Sequence, residues 1–171
     1  MLNVTGLTKS FGSGSNKLHV LKGIEMEIEK GEMVALMGPS GCGKSTLLNI
    51  IGGLLPGDKG NITLDGRSYG LKGPSSVVDV RRDLVGWIFQ DFHLLDNLTA
   101  LDNVAMALEL SGMNSHEAVA ASEHALERVG LGDRMHHIPD QLSGGQQQRV
   151  AIARAIAVSY THLRAHETLL D

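Results

Sequence analysis

The chain is 171 residues long, 42% apolar and 20% charged, enough for one domain with a core and too short to expect two. Its 19 acidic and 15 basic residues give a net charge of −4, and the basic residues do not cluster into the stripe a nucleic-acid backbone would need. No apolar run approaches the roughly 20 residues of a membrane helix, Met1–Thr5 has no secretory character, and the single cysteine, Cys42, can form no internal disulfide; a cytosolic chain is expected.

Short apolar stretches separated by turns open the chain. Leu2–Thr8 reads as a strand, and Gly23–Glu29 carries the period of two, Ile24-Glu25-Met26-Glu27-Ile28, of a half-buried one. Lys30-Gly31 is a turn. Glu32–Met37 is then a continuous apolar run of the kind buried in a parallel sheet. It leads into a glycine-rich loop and an apolar helix over Ser45–Ile51.

Asn61–Asp65 is a further short strand, and Val85–Phe89 another buried one ending at Gln90. From there the period becomes helical. Thr99 with Asp102 opens like a capping box, Leu101, Val104, Ala105 and Leu108 share one face, and Gly112 stops the helix. Asn114 with Glu117 opens a second, with Val119, Leu126 and Val129 as its apolar face, closed by Gly130. The middle of the chain is thus a helical insert between sheet elements.

Gly38-Pro39-Ser40-Gly41-Cys42-Gly43-Lys44-Ser45-Thr46 is a complete P-loop. Its glycines let successive N–H groups converge on a β-phosphate at a helix N-terminus, where the helix dipole also favours negative charge. Lys44 is positioned to reach the β- and γ-phosphates, and the Ser45 hydroxyl to ligate Mg²⁺. The bland alternative is an accidental glycine-rich turn, against which stand the strand before, the helix after and every fixed position filled.

Leu142-Ser143-Gly144-Gly145-Gln146-Gln147-Gln148-Arg149 has two readings. Ser143 with Gln146 is a capping box for a helix over Gly144–Ala157. Two glycines make a poor first turn for capping alone, at about 1 kcal/mol each against alanine. They make sense where a phosphate must approach the backbone.

With both strings present, residues 1–158 resemble the nucleotide-binding domain of an ATP-binding-cassette (ABC) transporter. The resemblance implies an α/β P-loop NTPase fold of the ABC ATPase type, with an antiparallel β side-sheet and a helical subdomain at about residues 91–143. It implies ATP and Mg²⁺ as ligands and a head-to-tail homodimer or pseudo-dimer of such domains. Each ATP then lies between the P-loop of one copy and Ser143, Gly144, Gly145 and Gln146 of the other. Gln90 matches the glutamine that touches Mg²⁺ and the attacking water and couples the site to the membrane subunit; alone it would read as a solvated strand end. Phe11 matches the aromatic that stacks on adenine, and without the family would read as core. His93–Val104 resembles the lipoprotein-release and macrolide-export branch, although similar strings occur in neighbouring branches.

Past Ser159 the pattern breaks. The family shows there an apolar strand ending in Asp-Glu, whose aspartate holds Mg²⁺ and whose glutamate polarises the attacking water. Counted without gaps, the pair falls on His166 and Glu167. His162 and Arg164 would enter the middle of a parallel sheet, where an unpaired charge costs several kcal/mol. Residues 159–171 resemble translated sequencing-adapter read-through, so a non-homologous tail and a missing C-terminal part of the core are expected. His136-His137 and His162 with His166 lack the companions of a metal site and read as structural or exposed.

The implied function is the ATP-binding subunit of an exporter, peripheral on the inner face of the cell membrane, with Lys44, Gln90 and Glu167 as catalytic candidates and transmembrane permease subunits, not nucleic acid, as partners. Hydrolysis by this chain is expected to be impaired. Two rivals are a non-catalytic nucleotide-binding module and a soluble ABC ATPase of DNA repair or translation.

Overall fold

The computed structural model describes the backbone of residues 1–167 and the side chains of residues 1–158. It forms two units, Met1–Leu84 and a second beginning at Val85, each with its own core.

In the first unit, β1 (Leu2–Phe11) pairs antiparallel with β2 (Leu18–Ile28) on one side and β3 (Lys59–Leu64) on the other. A two-residue β4 (Arg67–Ser68) extends β3, giving the order β2-β1-β3-β4. Val4, Leu7, Leu21 and Ile62 point from the sheet onto Leu47 and Ile50 of α1 (Lys44–Ile51), with Tyr69, Val77 and Val80 completing the core. Burying Leu47 and Ile50 contributes about 1.5–3 kcal/mol each, which fixes α1, and hence the loop before it, against the sheet. Gly60 permits the closest approach: its φ is +94° and a Cβ there would lie 2.5 Å from the Thr5 carbonyl oxygen.

In the second unit α3 (Ala100–Leu110), α4 (Ser115–Arg128) and α5 (Gly144–Glu167) pack together. Thr99 caps α3 in the expected reciprocal pairing with Asp102, and Asn114 caps α4 by accepting from the Glu117 N–H. Leu101, Val104, Ala105 and Leu108 are buried as their spacing predicts. Of the expected α4 face, Leu126 is buried and Val129 packs against the core, while Val119 does not join them. Ala118, Ser122, Ala125 and Leu126 are the buried residues of α4, and Val119 is exposed.

Asn103 is 1% exposed and organises the turn before α3. Its Oδ1 accepts from the Leu95 N–H at 2.7 Å, and its Nδ2 donates to the carbonyls of Leu95, Leu98 and Thr99 at 3.0–3.1 Å. Asn103→Ala takes the side-chain partner from the Leu95 N–H and the Leu98 carbonyl, each worth about 1–3 kcal/mol, while the Leu95 and Thr99 carbonyls keep the N–H groups of Leu98 and Asn103. Urea unfolding should show a loss of about 2–4 kcal/mol; a loss under about 0.5 kcal/mol would mean the turn finds other partners.

Two expectations are corrected. Glu32–Met37 forms no strand: Met33 is 97% and Met37 86% exposed. Val85–Phe89 forms none either, and Ile88 is exposed. An apolar run specifies the side chains of a buried strand but not its partners, and among the described residues nothing forms a ladder with either segment. The sequence reading also passes over α2 (Val78–Leu84), a short helix after the single-turn 3-10 helix Pro74–Ser76. Residues 160–165 lie within α5. No helix among the described residues is long and apolar enough to cross a membrane.

Candidate functional site

The P-loop residues meet at one loop-to-helix junction. Gly41 and Gly43 have φ of +80° and +100°, and Gly43 is the left-handed N-cap of α1. A Cβ on Gly43 would also lie 2.9 Å from Val20 and 3.2 Å from Leu21, so both conformation and space demand glycine. The first N–H groups of α1, on Lys44, Ser45 and Thr46, have no acceptor within the helix and concentrate the positive end of its dipole. Gly38, Pro39, Ser40, Gly41 and Cys42 are exposed in front of it.

Lys44 folds back over this loop. Its Nζ donates to the Gly38 carbonyl at 2.7 Å and the Pro39 carbonyl at 2.8 Å, with the Cys42 Sγ at 3.7 Å. The ammonium thus sits within the loop it serves, held by neutral carbonyls that phosphate oxygens would outcompete.

Phe11 closes β1 and is 42% exposed, so it is not the core residue its type alone suggests. The Lys9 Nζ lies over its ring, 5.5 Å from the centroid. Asp58, next before β3, holds the strand end beside it: its carboxylate accepts from the Lys9 Nζ at 3.1 Å and from the Ser10 N–H at 2.7 Å. The Lys9 hydrogen bond is the main influence holding the Asp58 carboxyl below the usual carboxylate range, so Asp58 is ionised at neutral pH.

In the second unit Gln90 is exposed in the turn that follows Val85–Phe89. That turn is strained: Phe92 and His93 have φ of +58° and +47°. Arg154 of α5 holds it by donating to the Phe92 carbonyl at 2.6 Å and the His93 carbonyl at 2.7 Å. Burial lowers the Arg154 pKa from its ordinary value. Trp87, Phe89 and His93 stack in succession beside it, lining a cavity of about 290 Å³. Sequence reasoning passes over Arg154, since a lone arginine on a helix carries no local signal of a bond to a turn 61 residues earlier.

Ser143 caps α5 as expected. The Gln146 N–H donates to the Ser143 Oγ at 3.4 Å, and the Ser143 N–H donates to the Gln146 Oε1 at 2.8 Å. Gly144 and Gly145 then form an exposed first turn, and a Cβ on either would meet nothing within 4 Å. Packing among the described residues does not require glycine at either position. Glu167 is the last residue of α5, and its side chain, with that of His166, lies outside the described ones.

Each unit offers one candidate metal donor, the Ser45 hydroxyl in the first and the Gln90 amide oxygen in the second. Among the described residues no three His, Cys, Asp or Glu side chains gather to hold one. Hard neutral oxygens fit Mg²⁺, which keeps waters and takes its negative ligands from phosphate, better than zinc or a fully caged calcium.

A family model described as ABC transporter matches residues 21–167. The chain is 46% identical over 156 residues to a macrolide export ATP-binding/permease protein, MacB 1 of Aeromonas hydrophila, covering 91% of this chain and 24% of that protein. It is 44% identical over 167 residues to the lipoprotein-releasing system ATP-binding protein LolD of Geobacter metallireducens, covering 98% and 74%. Among solved structures, the dimeric ATP-binding cassette MJ0796 in a post-hydrolysis state with ADP and Pi aligns with a TM-score of 0.81 at 40% identity, covering 92% of this chain and 70% of that one. The chain therefore spans about a quarter of the length of the fused export protein and about 70% of the solved cassette.

Proposed function

This chain belongs to the ABC transporter family, and we propose that it is the ATP-binding subunit of an exporter, closing as a dimer around two MgATP molecules and driving partner permease subunits. Its place is then peripheral, on the inner face of the cell membrane. The observation that carries the reading is the pair of exposed, glycine-flanked helix starts at Lys44 and Gly144, the second built of glycines that no neighbour among the described residues demands.

In this account the amides of Gly41–Thr46 and the Lys44 ammonium grip the β- and γ-phosphates, and Lys44 exchanges the carbonyls of Gly38 and Pro39 for phosphate oxygens. The Ser45 hydroxyl beside the P-loop would hold Mg²⁺ in the first unit, and the Gln90 amide oxygen of the second unit is a further candidate ligand. The metal neutralises phosphate charge when bound. Phe11 stacks on the base. Ser143, Gly144, Gly145 and Gln146 of the second copy cover the γ-phosphate with their own helix start, so that positioning and charge neutralisation, more than covalent chemistry, lower the barrier.

The cassette occupies residues 1–158, with its helical subdomain at about 91–143, and residues 159–171 are a separate tail. Glu167 is in register with the glutamate that polarises water, while His166 stands where the family has its Mg²⁺-holding aspartate. A neutral or cationic imidazole is a poor substitute for a carboxylate toward this metal. Steady-state assays should therefore give weak turnover or none; a rate that Lys44→Ala abolishes contradicts this. Reading the coding DNA across Ser159 tests the tail, because an apolar strand ending in Asp-Glu in the gene would show the foreign segment directly.

A further inference from the structure

The Phe11 ring has two faces, and the fold has already assigned one. Lys9 is 8% exposed, one of few buried charged residues among those described, and its Nζ lies over the ring at 5.5 Å from the centroid. An ammonium taken this far from water needs compensation. Asp58 supplies it from one side at 3.1 Å, and the π face of Phe11 from another. Asp58 is itself fixed, since its carboxylate also takes the Ser10 N–H and its own N–H donates to the Thr8 carbonyl at 2.9 Å. The clamp thus orders the last residues of β1, where strand register is irregular between Lys9 and Ser10.

We propose that Lys9 is a positioning residue for nucleobase binding: held by Asp58 behind the Phe11 ring, it presents the opposite face to the base and draws π density away from it. This rests on the reading of Phe11 as the base platform. A ring so backed offers a planar, electron-rich heterocycle a fixed and electrostatically favourable stacking surface, whereas an unsupported exposed phenylalanine at a strand end samples several rotamers. The effect belongs to the base and not to the phosphates.

The test measures MgATP and magnesium tripolyphosphate binding by the full chain, with unfolding monitored for each variant. Lys9→Met should weaken MgATP binding about two- to fivefold, less than the loss of a whole buried cation–π contact because the Phe11 ring itself remains, and leave tripolyphosphate unchanged. Lys9→Arg, which keeps the cation, should restore the affinity. Lys9→Met leaves Asp58 unpaired, so the double variant Lys9→Met/Asp58→Asn serves if the single one folds poorly, with the same selective loss expected. Unchanged MgATP affinity, equal weakening of both ligands, or failure of Lys9→Arg to rescue would overturn the proposal. Phe11→Ala separates the levels: if it too leaves MgATP binding unchanged, the platform reading itself fails and the proposal with it.

Discussion

Lys44→Ala should weaken MgATP binding by about two orders of magnitude while leaving the fold intact. In the proposed site the ammonium would make two charge-assisted hydrogen bonds to phosphate, worth about 1.5–3 kcal/mol each. In the free chain it already donates to the carbonyls of Gly38 and Pro39, and those bonds are given up on binding. The net loss is about 3 kcal/mol, or roughly a hundredfold. Stability should change little, because Lys44 opens an exposed helix turn where alanine is a good helix former. Calorimetric titration beside a thermal melt checks both halves; near-normal affinity would show that the loop does not bind phosphate.

Gly145→Asp should act with opposite sign on fold and assembly. A side chain there meets nothing within 4 Å, and position 145 lies in the first turn of α5. Replacing glycine there removes about 0.5–1 kcal/mol of backbone entropy cost, and an aspartate favours the helix dipole by about 0.3–1 kcal/mol. The variant should be the more stable protein. Against the γ-phosphate of the opposing copy the same carboxylate is a like charge, which costs several kcal/mol. ATP-driven dimerisation should fall by about a hundredfold or more, with ATP affinity of the monomer unchanged. Dimerisation at wild-type strength would mean that this helix start does not face a phosphate.

What the sequence disclosed follows from how local each determinant is. The caps of α3, α4 and α5 use residues three apart, so Thr99, Asn114 and Ser143 were legible at once. The P-loop was legible for the same reason, its turn being encoded in glycines whose φ values need them. Glu32–Met37 and Val85–Phe89 carry the composition of strands and form none, because a ladder depends on partners distant in sequence, which an apolar run does not specify. Asn103 and Ser122 are polar and fully buried, and a pattern of apolar positions reads such residues as solvent-facing. Lys9 with Asp58, 49 residues apart, and Arg154 with the turn after Gln90 are tertiary bonds between residues unremarkable in isolation.

The central claim is that the two phosphate-facing helix starts belong to one composite site completed between copies. Sedimentation of the 171-residue chain with and without saturating MgATP tests it most directly. The account predicts a monomer alone, a dimer with MgATP, and a monomer under both conditions for Lys44→Ala. A chain that binds MgATP and stays monomeric at concentrations far above its nucleotide Kd would contradict it.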